Sequence, residues 1–115
     1  MSDICRQITE IADVPWVLLS AGVDFTTFQR QVEIACDAGA SGFLAGRAIW
    51  QEAMLLPDPS QREQFLKTTA VSRLRILVQI ATNRATPWMD RFPSERLPQP
   101  REGWYAAYQH MSPHP

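Results

Sequence analysis

The sequence predicts an α/β fold built on a parallel strand–helix–strand unit, and three observations carry that prediction. Two short apolar runs, Trp16 to Leu19 and Gly42 to Ala45, each end in a small glycine-bearing turn. Each turn opens a helix. The segment between the runs has marked helix ends: Asp24 or Thr26 can cap its start, Phe28, Val32 and Ala35 recur at helical spacing, and Gly39 falls where a left-handed C-terminal cap sits. Trp16 to Leu19 is too short and too apolar for a helix with a wet face, and suits a strand buried on both sides. Gly42 to Ala45 is a weaker strand signal, because it has no β-branched residue. A crossover joining parallel strands is right-handed in nearly all known cases.

Parallel strands end on the same side of their sheet, so the turns Ser20-Ala21-Gly22 and Ala45-Gly46-Arg47 are expected side by side. Small residues there let an anion approach the backbone N–H groups. A helix starting at about Arg47 adds free N–H groups and the positive end of its dipole. Ser20 contributes a hydroxyl donor, and Arg47 a permanently charged planar fork that binds two oxygens at once. Either turn alone is ordinary punctuation. The pair, ending adjacent strands, reads as a site for phosphate or a similar small anion, formed by Ser20, Ala21, Gly22, Ala45, Gly46 and Arg47.

The same residues carry a family resemblance. Leu18-Leu19-Ser20-Ala21-Gly22-Val23-Asp24 and Gly39-Ala40-Ser41-Gly42-Phe43-Leu44-Ala45-Gly46-Arg47-Ala48-Ile49-Trp50 resemble the last two β/α units of bacterial class I aldolases. The group comprises the tagatose 1,6-bisphosphate aldolases and the similar sulfofructose-phosphate aldolases. The resemblance spans about Val14 to Met54 and extends through the long helix to about Ala85. It implies a partial (β/α)₈ TIM barrel, the C-terminal βαβα portion with strands 7 and 8, followed by a long C-terminal helix and an aromatic tail. It implies cleavage of a ketose phosphate to dihydroxyacetone phosphate and an aldehyde through a lysine Schiff base, with no metal and no cofactor. It also implies that the two turns hold the terminal phosphate or sulfonate, where barrels of this kind place a phosphate.

The chain departs from that pattern in length and in lysine. A complete barrel needs about 250 residues, and 115 are present. The strand expected to carry the Schiff-base lysine would lie upstream of Met1. The one lysine present, Lys67, sits early in a helix that Ser60-Gln61-Arg62-Glu63 opens in the form of a capping box. Glu63 lies one turn before it, the favourable order for a surface ion pair, and nothing around Lys67 desolvates its ammonium as imine chemistry requires. No catalytic residue is therefore assigned within this chain.

The remaining elements follow in order. A helix of about Asp3 to Ala12, capped by Ser2, carries Ile4, Ile8 and Ile11 as an apolar stripe. After the strand–helix–strand unit a short helix runs from about Ala48 to Leu55 and stops at Pro57-Asp58-Pro59. The longest helix, about Gln61 to Asn83, presents Leu66, Ala70, Leu74, Leu77 and Ala81 on one face, with Arg62, Arg73 and Gln79 on a solvated flank. From Thr86 the prolines Pro87, Pro93, Pro98 and Pro100 predict an extended strap, tacked down by Trp88 and Phe92. Gly103 to Tyr108 suggests a short aromatic helix, and His110 and His114 a frayed end. Residues 1–85 thus form the barrel portion and 86–115 the strap and tail.

Composition bounds the function. A formal net charge of −1 supplies no basic field for nucleic acid or an anionic membrane. The sequence has no apolar run of membrane-spanning length and no signal-peptide core. Cys5 and Cys36 have no metal-ligand spacing and suit buried thiols of a reduced, cytoplasmic protein. Two strands cannot close a barrel, so Val17, Leu19, Phe43 and Leu44 are expected along open edges. The expected partners are a sugar phosphate or other small anion, and either copies of this chain or a complement carrying the other strands. Besides the aldolase reading, a non-catalytic anion-binding module and a structural self-assembling fragment both fit the residues.

Overall fold

The computed structural model describes residues 1–91 together with 102, 103 and 106. Its elements are α1 (Ser2–Ile11), β1 (Val17–Leu19), α2 (Phe25–Asp37), β2 (Gly42–Leu44), α3 (Arg47–Trp50), a 3₁₀ turn Gln51–Leu55, α4 (Pro59–Phe65), a π turn Leu66–Ala70, α5 (Val71–Arg84) and α6 (Trp88–Arg91). The result is a mixed α/β arrangement around one small parallel sheet. Strands β1 and β2 pair in register, Val17 with Gly42, Leu18 with Phe43 and Leu19 with Leu44.

Helix α2 forms as its sequence dictates. Asp24 is extended and accepts the Thr27 amide at 2.7 Å, so it rather than Thr26 is the cap. At the other end Gly39 takes φ +112° and the chain closes a Schellman motif, with Gly39 N–H donating to Cys36 O and Ala40 N–H to Ala35 O. The buried face Phe28, Val32 and Cys36 packs on Ala48, Ile49, Ala70 and Leu77. Phe43 meets Phe28 edge to face, with centroids 6.2 Å apart. Both cysteines are buried free thiols, and burial pushes the Cys36 thiol above its ordinary pKa.

A second, smaller cluster ties α1 to the back of the same unit through Cys5, Ala35, Ala38 and Ala40. The Thr9 hydroxyl donates to Ala38 O and accepts Trp16 Nε1–H at 3.0 Å. Helix α1 approaches through Cys5 and Thr9, so Ile4, Ile8 and Ile11 face outward; the expected apolar stripe is real but uncovered. Ser2 is not its cap: Met1 holds that position without a side-chain bond.

Three further expectations are corrected. The strands are not buried on both sides. Val17, Leu19 and Leu44 are 47%, 62% and 58% exposed, while Leu18 and Phe43 turn inward, so Phe43 does not belong with the open-edge residues. The long helix begins at Pro59, not Gln61, and Asp58 caps it by accepting the Ser60 amide; Ser60 is inside the helix. Pro59 has no N–H to satisfy and a preset φ, which suits the first helical position.

The third correction concerns the face of that helix. The π turn at Leu66–Ala70 adds one residue to a turn, so a stripe counted at a constant 3.6 spacing slips by one position. Thr68 helps open the turn by donating its hydroxyl to Gln64 O at 2.7 Å, a side-chain bond that competes with the helical ladder. Beyond the slip Ala70 and Leu77 remain buried, Ala81 is half-buried, and Leu66 and Leu74 lie on the outside. Arg73 is turned inward instead of lying on a solvated flank, with its side chain only 18% exposed.

The strap is helical rather than extended at Trp88–Arg91, and Trp88 is exposed instead of tacking it down. Thr86 N–H donates to Ala40 O, and Arg91 Nη2 donates to Thr9 O and Ala12 O at the end of α1. Phe92, most of the aromatic segment Gly103 to Tyr108, and the histidines lie outside the described residues. No helix among the described residues is long and apolar enough to cross a membrane.

Gly39 gives a direct stability test. A Cβ there would sit 2.6 Å from Thr9 Oγ1 and Cγ2, in a backbone conformation that L side chains avoid. Gly39→Ala should lower unfolding free energy by at least about 2 kcal/mol, combining left-handed strain with loss of the Thr9 bonds. Urea melts of the two proteins measure it. Equal midpoints would mean that α1 does not dock where the structure has it.

Candidate functional site

The register that pairs the strands also aligns the two turns. Past Leu19 the ladder continues by one bond, Ser20 N–H to Leu44 O at 3.1 Å. The chain then turns through Ala21 at φ +53° and Gly22 at φ +81°, closed by Val23 N–H donating to Ser20 O. Two successive left-handed residues are the signature of a type I′ turn, which Gly takes without cost and Ala does not. Ala21 is the one non-glycine residue with positive φ among the described residues. Backbone strain of this kind concentrates at functional sites.

On the other strand Gly46 caps α3 and its carbonyl accepts the Ile49 and Trp50 amides. The Arg47 side chain lies back across Gly22. A Cβ at Gly22 would come 2.9 Å from Arg47 Nη2 and 3.1 Å from its Cζ. Only a residue without a side chain permits that approach. Gly22 and Arg47 each lie three residues past the paired Leu19 and Leu44.

Four of the expected site residues are therefore brought together: Ser20 and Gly22 from one turn, Gly46 and Arg47 from the other. Ser20 is nearly buried, with 6% of its surface exposed. Its amide is taken up by the sheet, which leaves its hydroxyl as the group it can offer. The bonds at these turns occupy the amides of Ser20, Val23, Ile49 and Trp50. The amides of Gly22, Arg47 and Ala48 have no backbone partner among the described residues. Ala21 is exposed at the tip of the turn, and Ala45 is half-buried against the core and contributes smallness only. Arg47 itself is exposed and Gly22 is half-buried, so an incoming anion can reach the fork and the Gly22 side of the pair, whereas Ala48 is buried.

A family model for the DeoC/LacD family aldolases matches residues 1–52, which contain both turns. Tagatose 1,6-diphosphate aldolase of Lactococcus lactis subsp. lactis is 30% identical over 95 residues, covering 78% of this chain and 29% of the relative. The chain belongs to this aldolase family. Tagatose 1,6-diphosphate aldolase 2 of Streptococcus agalactiae serotype III is 32% identical over 91 residues, 75% of this chain and 28% of the relative. A counterpart in Streptococcus mutans serotype c is 32% identical over 91 residues, with the same coverage of 75% and 28%. This family member thus spans less than a third of the length of the curated relatives it matches.

Lys67, its one lysine, lies on the π turn with Nζ 2.6 Å from Glu63 Oε1, and both side chains are well exposed at 70% and 64%. That is the solvated ion pair expected from the spacing. A groove of about 460 Å³ along Val71, Leu74, Val78 and Thr82 of α5 is apolar and distinct from the turns.

Sequence reasoning missed Arg73. Its Nη1 donates to Ala48 O at 3.1 Å and Ile49 O at 3.3 Å, and its Nη2 pairs with Glu52. Its guanidinium carbon stands 5.1 Å from the Phe25 ring centroid and 5.4 Å from that of Phe65. The available signal was an arginine between the apolar positions Ala70 and Leu77, which a constant helical period assigns to the flank.

The hydrogen bond from Arg73 holds the Glu52 carboxyl below its ordinary pKa. A depressed carboxyl contributes its stability fully above its unfolded-state pKa and loses it as the pH falls through the lower, folded value. The stability gap between wild type and Glu52→Gln should therefore be present near pH 7 and shrink as the pH falls below the ordinary glutamate pKa of about 4.3. Urea melts across that range read it. A gap that persists in acid would show that the pair is not what Glu52 contributes.

Proposed function

We propose that this chain supplies the phosphate-binding portion of a class I ketose-phosphate aldolase, similar to the tagatose 1,6-bisphosphate aldolases. The single observation that carries the reading is Arg47 lying across Gly22, which puts a charged fork beside the turn backbone at the ends of two parallel strands. A phosphate there meets the Arg47 guanidinium, the amides of Gly22 and Arg47, and the Ser20 hydroxyl. Each is a donor, and none is an acceptor that would repel the anion when the hydroxyl is turned toward it. Anchoring the terminal phosphate fixes where the rest of an extended ketose chain lies, which is how a remote group places the scissile carbon–carbon bond.

In this reading the lysine that forms the imine comes from outside this chain, because Lys67 is solvated and ion-paired with Glu63 on the outer surface of its helix. The active unit is then this chain joined to strands that complete a barrel, in a reduced, cytoplasmic setting. The exposed Val17, Leu19 and Leu44 support that assembly, since strand faces of this kind are ordinarily covered. The partner is either a complement carrying the other strands or further copies of the chain. Sedimentation at low micromolar concentration, with circular dichroism on the same sample, should find the folded protein in an assembly. A sharply melting monomer would refute that part.

Two experiments test the chemistry. Calorimetric titration with a ketose bisphosphate should show saturable binding that Arg47→Ala weakens by about 1.5–3 kcal/mol, the worth of a charge-assisted contact. Equal affinities would remove the anion site. Incubation of the isolated chain with the same substrate and borohydride should trap no adduct by mass spectrometry. A reduced imine on Lys67 would overturn its assignment as a surface residue.

A further inference from the structure

We propose that Arg73 is a positioning residue for the paired turns, setting the distance between them and hence the shape of the anion site; this rests on the reading of that site given above. The inference comes from what Arg73 touches. Its ring contact with Phe25 reaches the first residue of α2, directly after the Ser20–Val23 turn and its cap Asp24. Its two carbonyl bonds, to Ala48 and Ile49, and its pairing with Glu52 hold α3 and the following 3₁₀ turn, directly after Gly46 and Arg47. One guanidinium therefore grips the element that follows each turn.

The chemistry suits an arginine and no other side chain. Helix α3 is four residues long, too short to satisfy the carbonyls at its C-terminal end internally. A cation there neutralises the negative end of the helix while donating to those carbonyls. The planar fork meets two carbonyls and a carboxylate, and its faces remain free for the Phe25 and Phe65 rings. A lysine ammonium has no such faces and meets fewer of these partners at once.

The π turn is the device that delivers Arg73 to this place. Phe65 precedes the turn and Arg73 follows it, and in an uninterrupted α-helix their directions would differ by about 80° at 3.6 residues per turn. One wider turn makes up that difference, so both side chains meet on the face that carries Phe25. Straightening the turn would return Arg73 to the outside. The π turn and the arginine act as one part.

The experiment compares wild type with Arg73→Met, which keeps the buried stem, and Arg73→Lys, which keeps the charge. Amide spectra of the unliganded proteins come first. In Arg73→Met the Gly22 and Gly46 resonances should move while Gly39, on the far side of α2, stays in place. Affinity for inorganic phosphate should then fall at least about tenfold, and Arg73→Lys should recover only part of it. Ile80→Ala, which destabilises the same helix away from the turns, should lower the melting temperature and leave phosphate affinity within about twofold of wild type.

Unmoved Gly22 and Gly46 resonances in Arg73→Met would overturn the proposal, as would an Ile80→Ala protein that loses phosphate affinity equally. If Arg73→Met does not fold, Arg73→Lys carries the same comparison, and full wild-type spectra and affinity in it would be the refuting result. Wild-type protein that fails to bind phosphate, with the glycines still displaced in Arg73→Met, would remove the anion reading and leave the positioning role standing.

Discussion

The parallel pairing of β1 with β2 is the constraint on which the rest of the structure depends. It consists of three register pairs and one continuing bond from Ser20 to Leu44. Three-residue strands have little pairing energy of their own, so the register is held by what covers the inward side chains. Leu18 and Phe43 point into the core against Phe28, and a slip of one residue would turn one of the two outward. Fixing that register fixes everything downstream of both strands. Gly22 and Arg47 each follow the last register pair, Leu19 with Leu44, by three residues.

Register alone does not set the gap between two turns, because loops and short helices can tilt. Helix α3 has almost no core of its own beyond Ala48 and Ile49. It is held between the packed face of α2 and the guanidinium of Arg73. This division of labour has a physical logic: apolar packing supplies most of the stability but is non-directional, whereas hydrogen bonds to defined carbonyls specify orientation. A site that reads the geometry of a phosphate needs the second kind of interaction close by.

Local signals in the sequence were read correctly where local chemistry decides the outcome. Asp24 caps α2, Gly39 closes its C-terminus, and the burial of Phe28, Val32 and Ala35 follows from spacing. The paired turns were legible because parallel strands must end on one side. The corrected expectations share a cause, which is that a sequence pattern implies a uniform helical period and places helix starts at side-chain motifs. Asp58 outcompetes Ser60 because Pro59 prefers the first helical position. Leu66 and Leu74 lose the core to Phe65 and Arg73 because one π turn intervenes, and nothing in a 3.6-residue count announces it. The Ile4, Ile8 and Ile11 stripe was visible, but which face of α1 docks is set by the Thr9–Trp16–Ala38 contacts across the fold.

The account centres on an oxyanion held between the two turns, and locating one directly is its sharpest test. Crystals of the protein soaked with selenate would reveal a bound tetrahedral anion by the anomalous signal of selenium. The account predicts one ordered peak within hydrogen-bond reach of the Arg47 guanidinium and the Gly22 amide. Ordered selenate elsewhere on the chain, with nothing between the turns at the same concentration, would contradict it.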